Sequence, residues 1–321
     1  MGDPILIGIR FALYADLMLI AGLAAFALHA LDADERRNPV LTERIWRAER
    51  WLCVAGLAVS TLGFAVLAAS MFGVGILDLE AASVGELIVQ TDMGVAWLAR
   101  NAALLVALAA TFSLRQRPTG AAIVAATAGA FALASLVWTG HAGASEGAGG
   151  SLHRISDIVH MIAAAIWVGA IAGFLLWLAP RPAAPESPRL EVAGRSLERF
   201  SRTGTICVLL IAATGLINTQ MTIGIPGLSS AHASPYGRLL LAKLILFSIM
   251  LAIAAANRWR LVPALKQFQG TASTLGSARS LASEVAALRR SLLVEGGAAL
   301  TILGLVAWLG TLPPGTGSSG N

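Results

Sequence analysis

The chain has 321 residues, of which 56% are hydrophobic and 13% are charged, and its formal net charge is +5. Soluble domains carry about 25% charged residues, so this composition excludes an ordinary soluble domain. The positive charge does not indicate a nucleic-acid partner, because most of the basic residues are concentrated in alternate connections between apolar segments.

Eight apolar segments are long enough to cross a bilayer as helices, which takes roughly 20 residues at 1.5 Å rise per residue. Their continuous hydrophobic character excludes a membrane β-barrel, whose strands alternate apolar and polar residues. The first segment follows no basic region and no cleavage site, so we expect a retained helix and not a signal peptide. The predicted spans are 5–31, 51–72, 94–113, 120–139, 157–179, 203–224, 238–256 and 290–311. The sequence therefore predicts an all-α, polytopic membrane helix bundle of about eight transmembrane helices.

The basic residues also predict how this bundle is oriented. Most of the 23 Lys and Arg residues lie in the connections after the first, third, fifth and seventh spans. By the positive-inside rule these connections are cytoplasmic, which puts both termini in the periplasm. The connection at 73–93 contains acidic residues but no Lys or Arg, as expected for the periplasmic side of an inner membrane.

Two membrane halves are predicted, an N-terminal one at 1–140 and a C-terminal one at 141–312, followed by a disordered Gly/Ser-rich tail at 313–321. The third span begins Gly94-Val-Ala-Trp-Leu-Ala-Arg100, and the seventh begins Gly237-Arg-Leu-Leu-Leu-Ala-Lys243. Both pair a boundary glycine with a cation six residues later. This similarity indicates a possible 4+4 parallel repeat, an arrangement known in transporters; chance similarity between apolar helices is the alternative.

Side chains that bind copper are concentrated near the predicted outer face. Imidazole and thioether groups are the ligands that suit copper in an oxidising compartment, where free thiols form disulfides. The alternative is that methionines fill gaps in the core and histidines are hydrated in loops. The candidate ligands at this face are His141, His153, His160, His232, Met93, Met161 and Met221.

The strongest constellation is at the start of the fifth predicted span. His153, Asp157 and His160 are spaced i, i+4 and i+7, so they share one face of a helix. Asp157 could accept a hydrogen bond from an imidazole and fix its tautomer, which would make Asp157 part of the metal site. His141, at the end of the fourth span, is predicted to face this group. The alternative is an interfacial helix start whose histidines are simply hydrated.

Four polar residues within the predicted spans are candidates for a transport path, because intramembrane polar groups are costly and tend to be functional. Asn218, Lys243 and Arg100 are in the outer halves of their helices, and Asp16 is deeper. The cations are awkward neighbours for a metal cation. Either they pair with carboxylates or they point away from the path, and snorkelling towards lipid headgroups is the alternative for Lys243.

Several ordered motifs resemble those of the copper resistance protein D (CopD) family of bacterial inner-membrane proteins. They include Gly140-His141, Asp157-Ile-Val-His160, Thr214-Gly-Leu-Ile-Asn218 and Ser234-Pro-Tyr-Gly-Arg-Leu-Leu-Leu-Ala-Lys243. The resemblance covers nearly the whole chain and is most specific at 150–265. It implies copper handling at the inner membrane, commonly import into the cytoplasm, together with a periplasmic copper-binding protein of the CopC type. It supplies no ligand list, and His160 is the candidate that motif and spacing both support.

Three functional interpretations follow from these patterns. The leading one is a copper transporter, not an enzyme, that binds Cu(I) or Cu(II) at its periplasmic face and imports it; no Walker-type nucleotide motif occurs in the sequence. A haem-binding electron-transfer protein is the second, although bis-His haem ligation requires two imidazoles from facing helices. The third is a copper sensor or scaffold that does not move the metal. Membrane lipid is an expected partner and nucleic acid is not.

Overall fold

A computed structural model describes residues 3–114, 116–139, 147–179, 187–224, 226–257, 259 and 275–313. Within these ranges the chain is helical and contains no strand. The nine α-helices are α1 (Pro4–Ala30), α2 (Pro39–Phe72), α3 (Ala81–Gln90), α4 (Asp92–Ala110), α5 (Pro118–Ala134), α6 (Gly147–Leu178), α7 (Ser187–Thr222), α8 (Pro235–Ala256) and α9 (Leu275–Leu309). Short 3-10 segments occur at Glu35–Arg37, Ile76–Asp78, Ser135–Thr139 and Pro226–Ala233.

Eight helices are long and apolar enough to cross a membrane, and only the short α3 is not. The predicted all-α polytopic bundle with about eight spans is therefore confirmed. Several helices extend beyond their predicted spans, because the prediction followed only the apolar stretch. For example, α2 begins at Pro39, where Asn38 accepts a hydrogen bond from the backbone N–H of Val40 at 2.9 Å. Such a capping side chain satisfies an end group that the helix itself leaves free.

Helix α1 lies at the centre of the bundle and packs against α2, α5, α6, α7 and α9. Its side chains Leu17, Ile20 and Phe26 are fully buried. Where α1 crosses α6, Gly22 faces Gly169, and a Cβ on either glycine would collide with the backbone of the other helix. Small residues are what let two membrane helices approach this closely. This crossing joins the N-terminal helices to the C-terminal ones.

Ion pairs connect the end of α1 to α7. Asp32 accepts hydrogen bonds from Arg199 at 2.8 Å and from Arg195 at 3.4 Å, and Arg195 also binds Glu35 at 2.5 Å. The hydrogen bond from Arg199 holds the pKa of Asp32 below its usual value. These arginine-rich residues mark what is called the inner end of the bundle below. The opposite end, with residues 73–91, is the outer end.

Helices α7 and α8 are neighbours in the chain but pack on different partners. Helix α7 packs mainly against α6, whereas α8 packs against α9 and the Pro226–Ala233 segment. Only a small share of each helix is buried inside the protein. A gap therefore remains between α7 and α8, and both cavities described next border it.

A candidate metal site in two adjoining chambers

The outer chamber is a polar cavity of about 190 Å³ between α1, α6, α7, α8 and the end of α9. Its polar and sulfur-containing lining residues are Arg10, Tyr14, Met18, His153, Asp157, His160, Met161, Asn218, Thr219, Thr222, Tyr236 and Lys243. They come from four helices that are far apart in the sequence. The packing around α1 therefore brings together side chains that sequence reasoning could group only within one helix.

Helix α6 contributes the two histidines of the chamber. His153, Asp157 and His160 all line it, as expected for residues spaced i, i+4 and i+7 on one helix face. Met161 follows His160, lines the same chamber and is only 4% exposed. The structure thus brings together four of the eight metal-ligand candidates. Their role as ligands stays a prediction.

His160 is oriented by a hydroxyl group from α7. Its Nδ1 lies 3.0 Å from Oγ1 of Thr214, and that hydroxyl donates to the carbonyl oxygen of Leu210 at 2.5 Å. Because the hydroxyl proton is used on Leu210, the Thr214 oxygen accepts from His160 and Nδ1 carries the imidazole proton. Nε2 is then the nitrogen with a free lone pair for a metal. The sequence contained Thr214 only as part of a motif and gave no sign of this contact.

Asp157 and Asn218 connect α6 to α7 across the outer chamber. The Nδ2 group of Asn218 donates to Oδ1 of Asp157 at 3.2 Å. The Oδ1 atom of Asn218 is buried and has no hydrogen-bond partner within the described part of the chain. Asn218 was predicted to belong to a transport path, and it lies beside the predicted ligands. Its free oxygen is an acceptor that a ligand or a water molecule can use.

Lys243 of α8 lines the outer chamber opposite these groups. The charge of Asp157 acts on it, but no carboxylate of the described residues lies within 4 Å of its Nζ. Lys243 is about 12 Å from the start of α8 at helical rise, so it lies well inside the predicted span. It faces a cavity there, which favours the transport-path prediction over snorkelling to headgroups.

The inner chamber is a larger, mainly apolar cavity of about 320 Å³ that extends towards the inner end as far as Met250. It shares Met18, His160 and Lys243 with the outer chamber, so the two cavities adjoin at these side chains. At its rim, Leu216 of α7 and Leu244 of α8 are 56% and 40% exposed on the outside of the bundle. The inner chamber therefore borders the gap between α7 and α8.

Two of the predicted path residues lie away from both chambers. Arg100 is buried between α4 and α2, where its Nε donates to Oγ of Ser60 at 2.9 Å. Asp16 packs against Gly56 of α2, and its charge acts on the fully buried Glu49. Asp16, Glu49, Ser60 and Arg100 form what is called the N-terminal polar cluster below. Neither Asp16 nor Arg100 lines a chamber, so their role in a path stays a prediction.

The other predicted ligands are not brought to the chambers. Met93 is half-buried, while Met221 and His232 are exposed, and none of the three lines either cavity. His141 lies outside the described residues. Among the residues that the structure describes, no three His, Cys, Asp or Glu side chains form a group that could hold a metal ion. A copper site in the outer chamber would therefore include its thioethers.

Comparison with known proteins identifies the family of this chain. A family model described as copper resistance protein D-like, N-terminal domain, matches residues 1–151, and one described as copper resistance protein D matches residues 194–309. The chain belongs to the copper resistance protein D family. The family resemblance drawn from the motifs is thereby confirmed. No solved structure matches the chain.

Two bacterial proteins match most of the chain. Copper resistance protein D of Pseudomonas syringae pv. tomato is 39% identical over 317 residues, which cover 98% of each protein. Inner membrane protein YebZ of Escherichia coli (strain K12) is 30% identical over 267 residues, which cover 83% of this chain and 88% of YebZ. With its eight apolar helices, this member of the copper resistance protein D family is a multi-pass inner-membrane protein.

A third relative matches only part of the chain. Copper transport protein CutJ of Bacillus subtilis (strain 168) is 31% identical over 125 residues, 39% of this chain and 22% of CutJ. The names of the family and of two relatives refer to copper resistance or copper transport, and none of the three relatives' names refers to catalysis. Membership therefore supports copper handling as the general function.

Proposed function

We propose that this protein binds copper in the outer chamber and imports it across the inner membrane. The observation that carries the proposal is the shared lining of one cavity by His153, His160 and Met161 in a member of the copper resistance protein D family. Imidazole and thioether groups are ligands that select copper over harder metals. Arg10 and Lys243 are the cations that such a site must accommodate.

The chemistry of the chamber favours Cu(I) as the bound ion. Met161 and Met18 offer soft thioether sulfur, and His160 offers an Nε2 lone pair whose tautomer is fixed by Thr214. Asp157 adds a harder oxygen ligand, with which the site would also accept Cu(II). Both described histidines of the chamber come from one helix. That arrangement favours copper over haem, which two histidines bind from facing helices.

The path and direction are parts of the same proposal. Copper would arrive from the periplasm, where a protein of the CopC type delivers it, and would bind in the outer chamber. It would then pass into the inner chamber at His160, where the two cavities adjoin. The proposal keeps both termini in the periplasm and keeps two halves, 1–140 and 141–312, within surrounding membrane lipid. The name of CutJ, a copper transport protein, supports movement of the metal in place of sensing.

Copper binding by His160→Ala tests the site. We expect wild-type protein in detergent to bind Cu(I) in competition with a chromogenic chelator. The variant should bind at least about 100-fold more weakly, because it loses a ligand whose supporting contacts alone contribute 10–100-fold. His232→Ala is the matched control, since His232 is exposed and lies away from the chambers. Equal affinities of wild type and His160→Ala, with both folded, would refute the site.

Uptake by proteoliposomes tests the direction. Protein of known orientation is reconstituted, and Cu(I) is added on the outer-end side. Saturable accumulation inside that is absent with His160→Ala would support import. Binding without accumulation would leave the site intact but contradict transport.

A further inference from the structure

The outer chamber has an excess of positive charge before any metal enters it. Among the described residues that line it, the charged groups are Arg10, Lys243 and Asp157. With both histidines neutral, as metal ligands must be, the net charge of this lining is positive by one unit. Cu(I) would add a second unit within a membrane protein, where like charges repel more strongly than in water.

The two cations differ in how the protein already binds them. Arg10 shares a hydrogen bond with Tyr14 and packs beside Gly310, where a Cβ would collide with the guanidinium group. Lys243 has no carboxylate within 4 Å of its Nζ among the described residues. No printed hydrogen bond or unlisted contact involves it either, so the chamber is the space into which its charge is directed. An ammonium group in such a place is costly unless it finds a counter-charge.

The remaining groups of the chamber suit an anion as well as a metal. Tyr14 and Tyr236 offer hydroxyl groups, and the guanidinium plane of Arg10 matches the geometry of a carboxylate. The cavity of about 190 Å³ has room for several molecules of the size of water. A copper ion and a small anion would therefore fit together.

We infer that the outer chamber binds a small monovalent anion, of the carboxylate or halide class, with Lys243 as its main counter-charge and Arg10 as the second cation. The anion site itself is independent of the copper site. A second part rests on the proposed function: copper enters the chamber together with this anion, as an electrically neutral pair. The presence of two cations beside a cation site then has a physical reason, because they hold the anion and not the metal.

Anion binding to the copper-free protein tests the first part. Full-length protein in an uncharged detergent is titrated with sodium acetate or sodium chloride, and a bulky organic sulfonate keeps the ionic strength constant. We expect a saturable rise of the thermal midpoint by about 5 °C, because the anion binds the folded state selectively. Lys243→Met should abolish the rise and Lys243→Arg should restore it. Arg238→Met is the control, since Arg238 is exposed in the first turn of the same helix and lines neither chamber.

Copper affinity of the wild type tests the second part and needs no variant to fold. We expect Cu(I) to bind at least about tenfold more tightly in acetate or chloride than in the sulfonate. No thermal response to either anion, or the same response from Lys243→Met, would overturn the anion site. Copper binding that does not depend on the anion would overturn the paired entry but leave the proposed copper site standing. Anion binding in a protein that binds no copper would refute the proposed function and leave the anion site.

Discussion

The outer chamber and the N-terminal polar cluster are two groups of intramembrane polar residues on opposite sides of α1. In the chamber, Asn218 binds Asp157 and Thr214 binds His160 across the α6–α7 interface, beside a cavity. In the cluster, Glu49 is fully buried, and neither of its carboxylate oxygens has a hydrogen-bond partner in the described part of the chain. The comparison teaches that a costly polar residue marks a binding site only when space for a ligand adjoins it.

The crossing of α1 and α6 supports both regions, so breaking it should have the largest effect. We expect Gly22→Leu to separate the two helices and to destabilise the protein by about 3 kcal/mol or more, because the added side chain meets backbone and not a movable side chain. Thermal denaturation and gel filtration in detergent measure this. Gly304→Leu in α9 is the control, since a Cβ there meets nothing within 4 Å. Similar stability of the two variants would contradict the close crossing.

The hydroxyl behind His160 should have the next largest effect, and only on the chamber. We expect Thr214→Val to weaken Cu(I) binding by about 10–100-fold, because the imidazole loses the contact that fixes its tautomer. The measurement is chelator competition, with thermal stability as a check on folding. Thr127→Val in α5 removes a hydroxyl that bonds only to its own helix at Ile123 and Val124, and it should leave affinity unchanged. An unchanged affinity in Thr214→Val would remove Thr214 from the site.

The N-terminal polar cluster should respond in the opposite way. We expect Glu49→Leu to keep wild-type Cu(I) affinity and to raise the free energy of unfolding by about 1 kcal/mol, because an apolar side chain replaces buried carboxylate oxygens without partners. Denaturant titration and chelator competition measure the two quantities. Val66→Leu is a control for a change of volume within α2. A large loss of copper binding or uptake in Glu49→Leu would show that the cluster, and not only the chamber, serves the metal.

The ion pairs at the inner end should contribute least. We expect Asp32→Asn to lower the thermal midpoint at pH 7 by no more than about 2 °C, since exposed ion pairs contribute little. The pKa of Asp32 is lowered in the folded protein, so its contribution is present above its unfolded pKa and is lost as the pH falls through the folded one. The difference between wild type and variant should therefore persist at neutral pH and shrink in acid. A difference that grows in acid would contradict this assignment.

The sequence predicted the directions of side chains on each helix but not which helices would meet. Hydrophobic length gave the eight spans, and the i, i+4, i+7 spacing gave the shared face of His153, Asp157 and His160. The rotation of one helix relative to its neighbours depends on packing at places such as Gly22 and Gly169, which no local pattern describes.

Two residues show the consequence of this limit. Arg100 and Lys243 occupy matching places in similar sequence motifs, yet Arg100 binds Ser60 inside the N-terminal polar cluster and Lys243 lines the chambers. The partners of both residues are on other helices. Sequence periodicity assigns a residue to a face of its own helix, and the packing of the bundle then decides whether that face meets a neighbour or a cavity.

The gap between α7 and α8 has a practical consequence for any measurement of affinity. The inner chamber is mainly apolar, and its rim at Leu216 and Leu244 faces the hydrocarbon of the bilayer. Acyl chains or detergent tails can therefore enter beside His160 and Lys243 and exclude water from them. The effective dielectric constant around these groups is then a property of the lipid as well as of the protein. Constants measured in short-chain detergent, long-chain detergent and lipid nanodiscs should differ, and the chain length of the amphiphile becomes an experimental variable.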